Sequence, residues 1–449
     1  VRALLLAALF VAPLAIGAVH EPVFVPLLLV FAAAGLFAWR RARGLREWGT
    51  EVPPLPGARL LLALHALVLL QMVPLPAGLL RVVSPGSFAF YGERALVPFA
   101  WRPISVNPAD SARGLFFLAG MSLLYFAVFH EFREERWRRR LYRTITAAAV
   151  VAAAVALVQA VSLHPSRIFG LWRPRWDWVV FGPYVNRNHF AGYMVMAIPL
   201  AAAFAIESWR TFGERWRTRR HRWPLLGSPE FLAAVRWTSA GALLAVALLA
   251  SRSRGGLLAF AVSVAVLGLV LRRRAWQLAA VVVVGATVAL LTVDLGESLK
   301  HFGRGVQKSR IELWMDALPM LEDFPVLGHG FNAFGTAYVR YQSQNRIEWF
   351  GEAHNEYLQS LLDMGIVGGA LVGALLWTFL RRLARSSRLS LLDAGTAAAL
   401  AALCAHNFVD FEWQIPANAA AFVALCATAM RRGEPPQTSW SFLSADTTA

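Results

Sequence analysis

Five short runs of this sequence hold residues able to do chemistry. Ser251-Arg252-Ser253-Arg254-Gly255-Gly256 sets two guanidinium groups beside paired glycines. Arginine binds phosphate through a planar fork of donors, and glycine lets backbone approach an anion closely. The same run also reads as helix-end arginines reaching for water. His354-Asn355 supplies the side chain best suited to take a proton near neutral pH; a helix cap is the plainer reading. Arg310 opens Arg-Ile-Glu-Leu-Trp, a second place for an anion or simply a solvated cation. Asn186-Arg187-Asn188-His189-Phe190-Ala191-Gly192-Tyr193 and His406-Asn407-Phe408-Val409-Asp410-Phe411 gather amides, imidazoles and aromatic rings. Such groups suit sugar hydroxyls, and equally suit anchoring at a membrane interface.

Other chemistries find no support. The sequence has no G-x-x-x-x-G-K-[ST] loop, no H-E-x-x-H and no G-x-S-x-G elbow. Cys404 and Cys426 lack metal-ligand spacing and both lie in apolar blocks. Neither a metal nor a cofactor is expected, and the energy for any reaction must arrive in an activated bond of the substrate.

The elements that position these residues follow from hydropathy. Of 449 residues, 57% are hydrophobic and 16% charged, against roughly 25% charged in soluble domains. Apolar blocks long enough to cross a bilayer recur at 3–19, 22–38, 59–78, 114–130, 145–163, 189–207, 237–251, 257–271, 275–294, 357–380, 389–405 and 415–430. The expected fold is all-α: a polytopic membrane domain of about twelve spans over 1–432, with a short polar tail at 433–449.

The net charge of +17 raises nucleic acid as a partner, but the basic residues sit in short loops and form no soluble basic module. With twelve spans, Arg40–Arg46, Arg133–Arg143, Arg210–Arg222, Arg272–Arg274, Arg381–Arg385 and Arg431–Arg432 all fall on one side. The positive-inside rule makes that side cytoplasmic, and both termini with it. The long connections 79–113, 164–188 and 295–356 are then external, and the last, before the tenth span, is the largest. Within it, apolar residues at 311, 314, 315, 318 and 321 predict a helix over 308–322 lying at the membrane surface. Gly365 and Gly369 have the small-xxx-small spacing of close helix packing.

Together these runs resemble the O-antigen ligase and O-antigen polymerase superfamily. The most specific match is His354-Asn355, nine residues, then Gly365-Ile366-Val367-Gly368. Ser253-Arg254-Gly255-Gly256 looks like the Ser-Arg-x-Gly element of that superfamily. Arg310-Ile311-Glu312-Leu313-Trp314, with Leu327-Gly328-His329-Gly330 downstream, is similar to its second arginine region. The matches span residues 180–420; the first five spans agree in hydropathy alone.

The resemblance implies an inverting, metal-independent glycosyltransferase of the bacterial inner membrane, acting on the periplasmic side. Its donor would be a glycan on undecaprenyl diphosphate. The acceptor would be lipid A–core for a ligase, or another lipid-linked glycan for a polymerase. It implies Arg254 and Arg310 as diphosphate ligands supported by Arg252, and His354 as general base on the acceptor hydroxyl. Glu352 is expected to orient that imidazole, while Asn355, Asn188, His189, His406 and Asp410 are expected around the substrate. Whether Arg252 or Arg254 faces the phosphates stays open, as does ligase against polymerase. A transporter of lipid-linked glycans is the non-enzymatic alternative, although the polar runs lie at one face rather than at mid-membrane.

Overall fold

The computed structural model describes residues 1–95, 97–174, 180–221, 223–271, 310–343, 349–385 and 389–431. Its first helices are α1 (Arg2–Leu14), α2 (Glu21–Glu47) and α3 (Ala58–Met72). Two short helices follow, α4 (Ala77–Val83) and α5 (Pro85–Gly92), closed by a two-residue antiparallel pairing of Leu75–Pro76 with Trp101–Arg102. Then come α6 (Pro108–Glu131), α7 (Glu135–Ala160), α8 (Arg187–Thr218), α9 (Pro229–Ala250) and α10 (Arg254–Val270). The later elements are α11 (Arg310–Ala317), α12 (Pro319–Asp323), α13 (Phe334–Tyr338), α14 (Glu356–Arg385), α15 (Leu391–His406) and α16 (Pro416–Met430).

Among the described residues, six helices are long and apolar enough to cross a membrane: α2, α6, α7, α8, α9 and α14. Five shorter apolar helices, α1, α3, α10, α15 and α16, coincide with further expected spans. The expected span 275–294, the first part of the large loop and the tail 433–449 lie outside the described residues. Side chains such as Leu36, Leu62, Val158, Leu232 and Trp377 are exposed on these helices. That apolar outer surface suits hydrocarbon rather than water, and the chain is a multi-pass membrane protein.

The helices start where the sequence supplies caps. Asn107 accepts the Asp110 amide, Ser228 that of Phe231, and Ser253 that of Gly256. Ser390 and Asp393 cap each other reciprocally. α8 is central, with 89% of its apolar window buried, against 22% for α9. It packs along α9 and α15, α15 packs along α10, and α1 packs along α7. A separate cluster of Phe90, Val106, Leu313, Ala317, Met320, Phe334 and Leu362 ties α5, α11, α12, α13 and the start of α14 together.

Two expectations need correction. The helix expected over 308–322 is broken, with Pro319 opening α12 after α11 has ended. Its outer face keeps Ile311, Met315 and Leu318 exposed, while Leu313, Ala317 and Met320 turn inward. The glycines of α14 also serve another purpose. Gly365 adopts φ 64°, ψ −167° and breaks the helix, and Gly368 and Gly369 face Met364 and Leu361 of their own helix.

Segment 325–331 fills that break. The amides of Ile366 and Val367 donate to the carbonyls of Pro325 and Val326, and those of His329 and Gly330 donate to Leu362 and Asp363. Gln71, buried in α3, completes the exchange. Its amide nitrogen donates to the Leu327 and Asp363 carbonyls at 2.6 and 2.8 Å, and its oxygen accepts from the Phe331 amide at 3.0 Å. A broken helix survives at membrane depth when protein groups satisfy its freed backbone in this way.

Candidate active site

Asp410 is the centre of the site. It lies in the turn between α15 and α16 and is fully buried. Arg310, the first residue of α11, donates from Nη2 to Asp410 Oδ2 at 3.0 Å and from Nη1 to the Val409 carbonyl. His189 Nε2 and His354 Nδ1 each lie 3.5 Å from Asp410 Oδ1. That distance is long for a hydrogen bond, so these contacts are mainly electrostatic. Phe411 stands between the two imidazoles, its ring 4.7 Å from His189 and 4.8 Å from His354, both edge-to-face.

The elements explain why these groups meet. His189 sits in the first turn of central α8, where Asn186 caps by accepting the Asn188 amide at 2.8 Å. His354 immediately precedes α14. Asn355 caps that helix, its Oδ1 accepting the amides of Tyr357 and Leu358 at 3.1 and 3.0 Å. His354 has φ +50°, a left-handed conformation costly for a side-chain-bearing residue. Its neighbour Ala353 is clamped on both sides. The Ala353 amide donates to Gln359 Oε1 at 2.6 Å, and its carbonyl accepts from Trp314 Nε1 at 2.8 Å. The imidazole is 27% exposed while Asp410 is wholly enclosed, so His354 is the member of the pair that can meet a substrate.

Electrostatics sort the carboxyl groups. Burial disfavours ionised Asp410, but contacts from His189 and His354 and the charge of Arg310 outweigh it, holding the carboxyl well below its ordinary range. Glu412, two residues on, is pushed well above its ordinary range by burial and by the charge of Asp410, against a hydrogen bond from Asn418. It contacts His406 Nδ1 at 3.3 Å and packs against Gly192. Glu352 is raised by burial; His354 pulls it down and Asp410 pushes it up. The carboxylate paired with the His354 ring is Asp410, at 3.5 Å, and Glu352 interacts with that ring electrostatically.

The arginine run lies on the far side of the same turn. Gly255 abuts the His406 ring and Val409, and a Cβ there would come within 2.9 Å of both. Arg254 opens α10 beside it. Arg252 also has a left-handed backbone, φ +53°, and Arg187 lies in the electrostatic reach of Arg252 and Arg254. Three like charges thus gather near the N-termini of α8 and α10, where the helix dipoles favour an anion. Of the other expected residues, His406 is fully buried on Glu412, and Asn355 uses its oxygen as a cap.

His189, Asp410 and Glu412 place ligand atoms within 4.8 Å of one another and form the set most able to hold a metal ion among the described residues. Arg310 would compete there for Asp410. The sequence runs already contained Arg187, but no spacing rule marks it. Nothing local links Asp410 to His354, or Gln359 and Trp314 to the backbone before it.

No curated protein matches this chain in sequence. Residues 239–373 match the family described as O-antigen ligase, a stretch that includes Arg252, Arg254, Arg310, Glu352 and His354. That match covers the part of the chain that holds these side chains, and it supports a place in the O-antigen ligase superfamily.

Proposed function

We propose that this protein transfers a glycan from undecaprenyl diphosphate to lipid A–core at the periplasmic face of the bacterial inner membrane, as an inverting O-antigen ligase. One observation carries the reading. Asp410 binds Arg310 and touches His354, joining an anion-binding side chain to a base inside one buried cluster.

His354 removes the proton from the acceptor hydroxyl. The acceptor oxygen attacks the anomeric carbon from the face opposite the diphosphate, and the C1–O bond breaks with its electron pair leaving on the diphosphate. Asp410 fixes the imidazole and stabilises its charged form, a division of labour familiar from other His–Asp pairs. Arg254, with Arg252 and Arg187, holds the diphosphate; Arg310 bridges that group and Asp410. Charge growing on the leaving oxygen is met by fixed cations, which need no reorganisation as the bond breaks. Asn188, His189 and Glu352 border the substrate. No nucleotide or metal takes part.

The test supplies purified protein with a lipid-linked oligosaccharide and lipid A–core, with chelator and without ATP, and follows product size. A discrete product supports ligation, whereas a ladder of lengthening glycans means that the protein is a polymerase of the same superfamily. His354→Ala should abolish transfer while retaining donor binding; full activity in that variant would remove the mechanism. Activity lost to chelator and restored by a divalent cation would point to His189, Asp410 and Glu412 instead.

A further inference from the structure

A second basic site lies at the opposite end of the bundle. The residue after α1's end region, Gly17, packs on Tyr184 and Ile415 near the site just described. Arg2, at the start of α1, is bonded to Glu131 and Glu134. The start of α7, which follows Glu134, is therefore remote from His354. Here α1 and α7 leave an open groove of about 400 Å³ lined by Leu6, Phe10, Arg140, Arg143, Thr144 and Ala147.

The groove has two chemistries. Arg140 and Arg143 are exposed, and among the described residues no carboxylate forms an ion pair with either. The nearby carboxylates are already engaged: Arg139 binds Glu207 with both guanidinium nitrogens and also contacts Glu135. Arg140 lies over the Trp137 ring and Arg143 over Phe204, so each guanidinium is held in place. Arg139, Arg236 and Arg140 add positive charge at Arg143, offset in part by Glu207. The other wall is apolar, formed by Leu6 and Phe10 of α1. From the two arginines an exposed stripe runs along α7 through Ala147, Val151, Ala154 and Val158. At 1.5 Å per residue, Arg140 to Val158 covers about 27 Å, close to the thickness of a hydrocarbon core. The arginines thus stand at head-group level and the stripe at acyl-chain level.

We propose that this groove binds an anionic phospholipid, with its phosphate on Arg140 and Arg143 and an acyl chain along Leu6, Phe10 and Ala147. Basic pockets between membrane helices recognise anionic head groups in this manner. A bulk-facing arginine that merely reaches for water needs no apolar wall beside it.

The experiment reconstitutes the whole protein in phosphatidylcholine nanodiscs with a minor share of phosphatidylglycerol and reads retained lipid by native mass spectrometry. One phosphatidylglycerol should be retained per protein. The R140A/R143A double variant should lower retention by roughly tenfold or more, while the exposed control Arg217→Ala should leave it intact. Ala147→Trp fills the groove without altering charge and should also expel the lipid. Equal retention of the two lipids, or unchanged retention in both groove variants, would overturn the proposal. Displacement by inorganic phosphate at millimolar concentration would mean a soluble anion rather than a lipid, and would overturn it too.

Discussion

At the scale of single residues, Asp410 and Glu412 make opposite demands on the proton. Asp410→Asn removes the group that orients His354. It should lower kcat by roughly 10²–10⁴-fold with a smaller change in KM, read from initial rates of glycan transfer. Glu412 gives a stability prediction. Its folded pKa is raised above the unfolded one, so its contribution is complete at low pH and is lost as pH rises through the folded value. Glu412→Gln cannot ionise, so its melting temperature should fall less than that of the parent as pH rises from below the ordinary carboxyl value into the alkaline range. Parallel curves in detergent-solubilised protein would exclude Glu412 as the titrating group. Asp410 has the reverse sign, with stability present above the unfolded carboxyl value and lost as pH falls through the lowered one. His354 and Arg254 stood out in the sequence, because an imidazole or guanidinium among apolar blocks advertises itself, whereas Arg310 reads as a solvated cation until the family resemblance singles it out. The partner of His354 was not. Glu352 is its neighbour along the chain, but the contact is made by Asp410 from another turn, and such pairings exist only after helices dock.

At the scale of elements, the broken α14 holds the site's shape. Gly365 has φ +64°, and a Cβ there would fall 2.3 Å from the Val326 carbonyl. Gly365→Ala should cost about 1–3 kcal/mol through backbone strain, with the steric clash added, visible as a lower melting temperature and a smaller monodisperse peak on size exclusion. Gln71→Leu should act similarly. It strips partners from the Leu327 carbonyl and the Phe331 amide, each worth about 1–3 kcal/mol when left buried and unpaired. A Gln71→Leu protein as stable as the parent would show that water can enter and replace the side chain. The sequence displayed both glycine motifs, Leu327-Gly328-His329-Gly330 and Gly365-Ile366-Val367-Gly368, without showing that they interlock. Hydropathy reads 357–380 as one uninterrupted span because the break replaces no apolar residue. Only the left-handed glycine and the backbone bonds from segment 325–331 reveal it.

At the scale of the whole molecule, the alternation of arginine-rich short loops with long polar connections was the most legible feature, since each block of hydropathy is local and needs no tertiary knowledge. Orientation can be tested directly. Ser343→Cys should react with a membrane-impermeant thiol reagent in intact cells, and Arg217→Cys only after permeabilisation; the reverse pattern would place the site in the cytoplasm. Cys426 is buried and Cys404 half-buried, so background labelling should be small. The break in α14 also bears on how the protein is made. Gln71 and residues 325–331 are synthesised before α14 leaves the ribosome, so every partner of the break exists when the helix arrives. The insertion machinery can accept an ordinary hydrophobic segment, and its upper turn is then reshaped by surfaces already in place. Biogenesis thus runs from template to hinge, and damage to Gln71 should appear first as protein degraded during assembly rather than as mature enzyme with altered turnover.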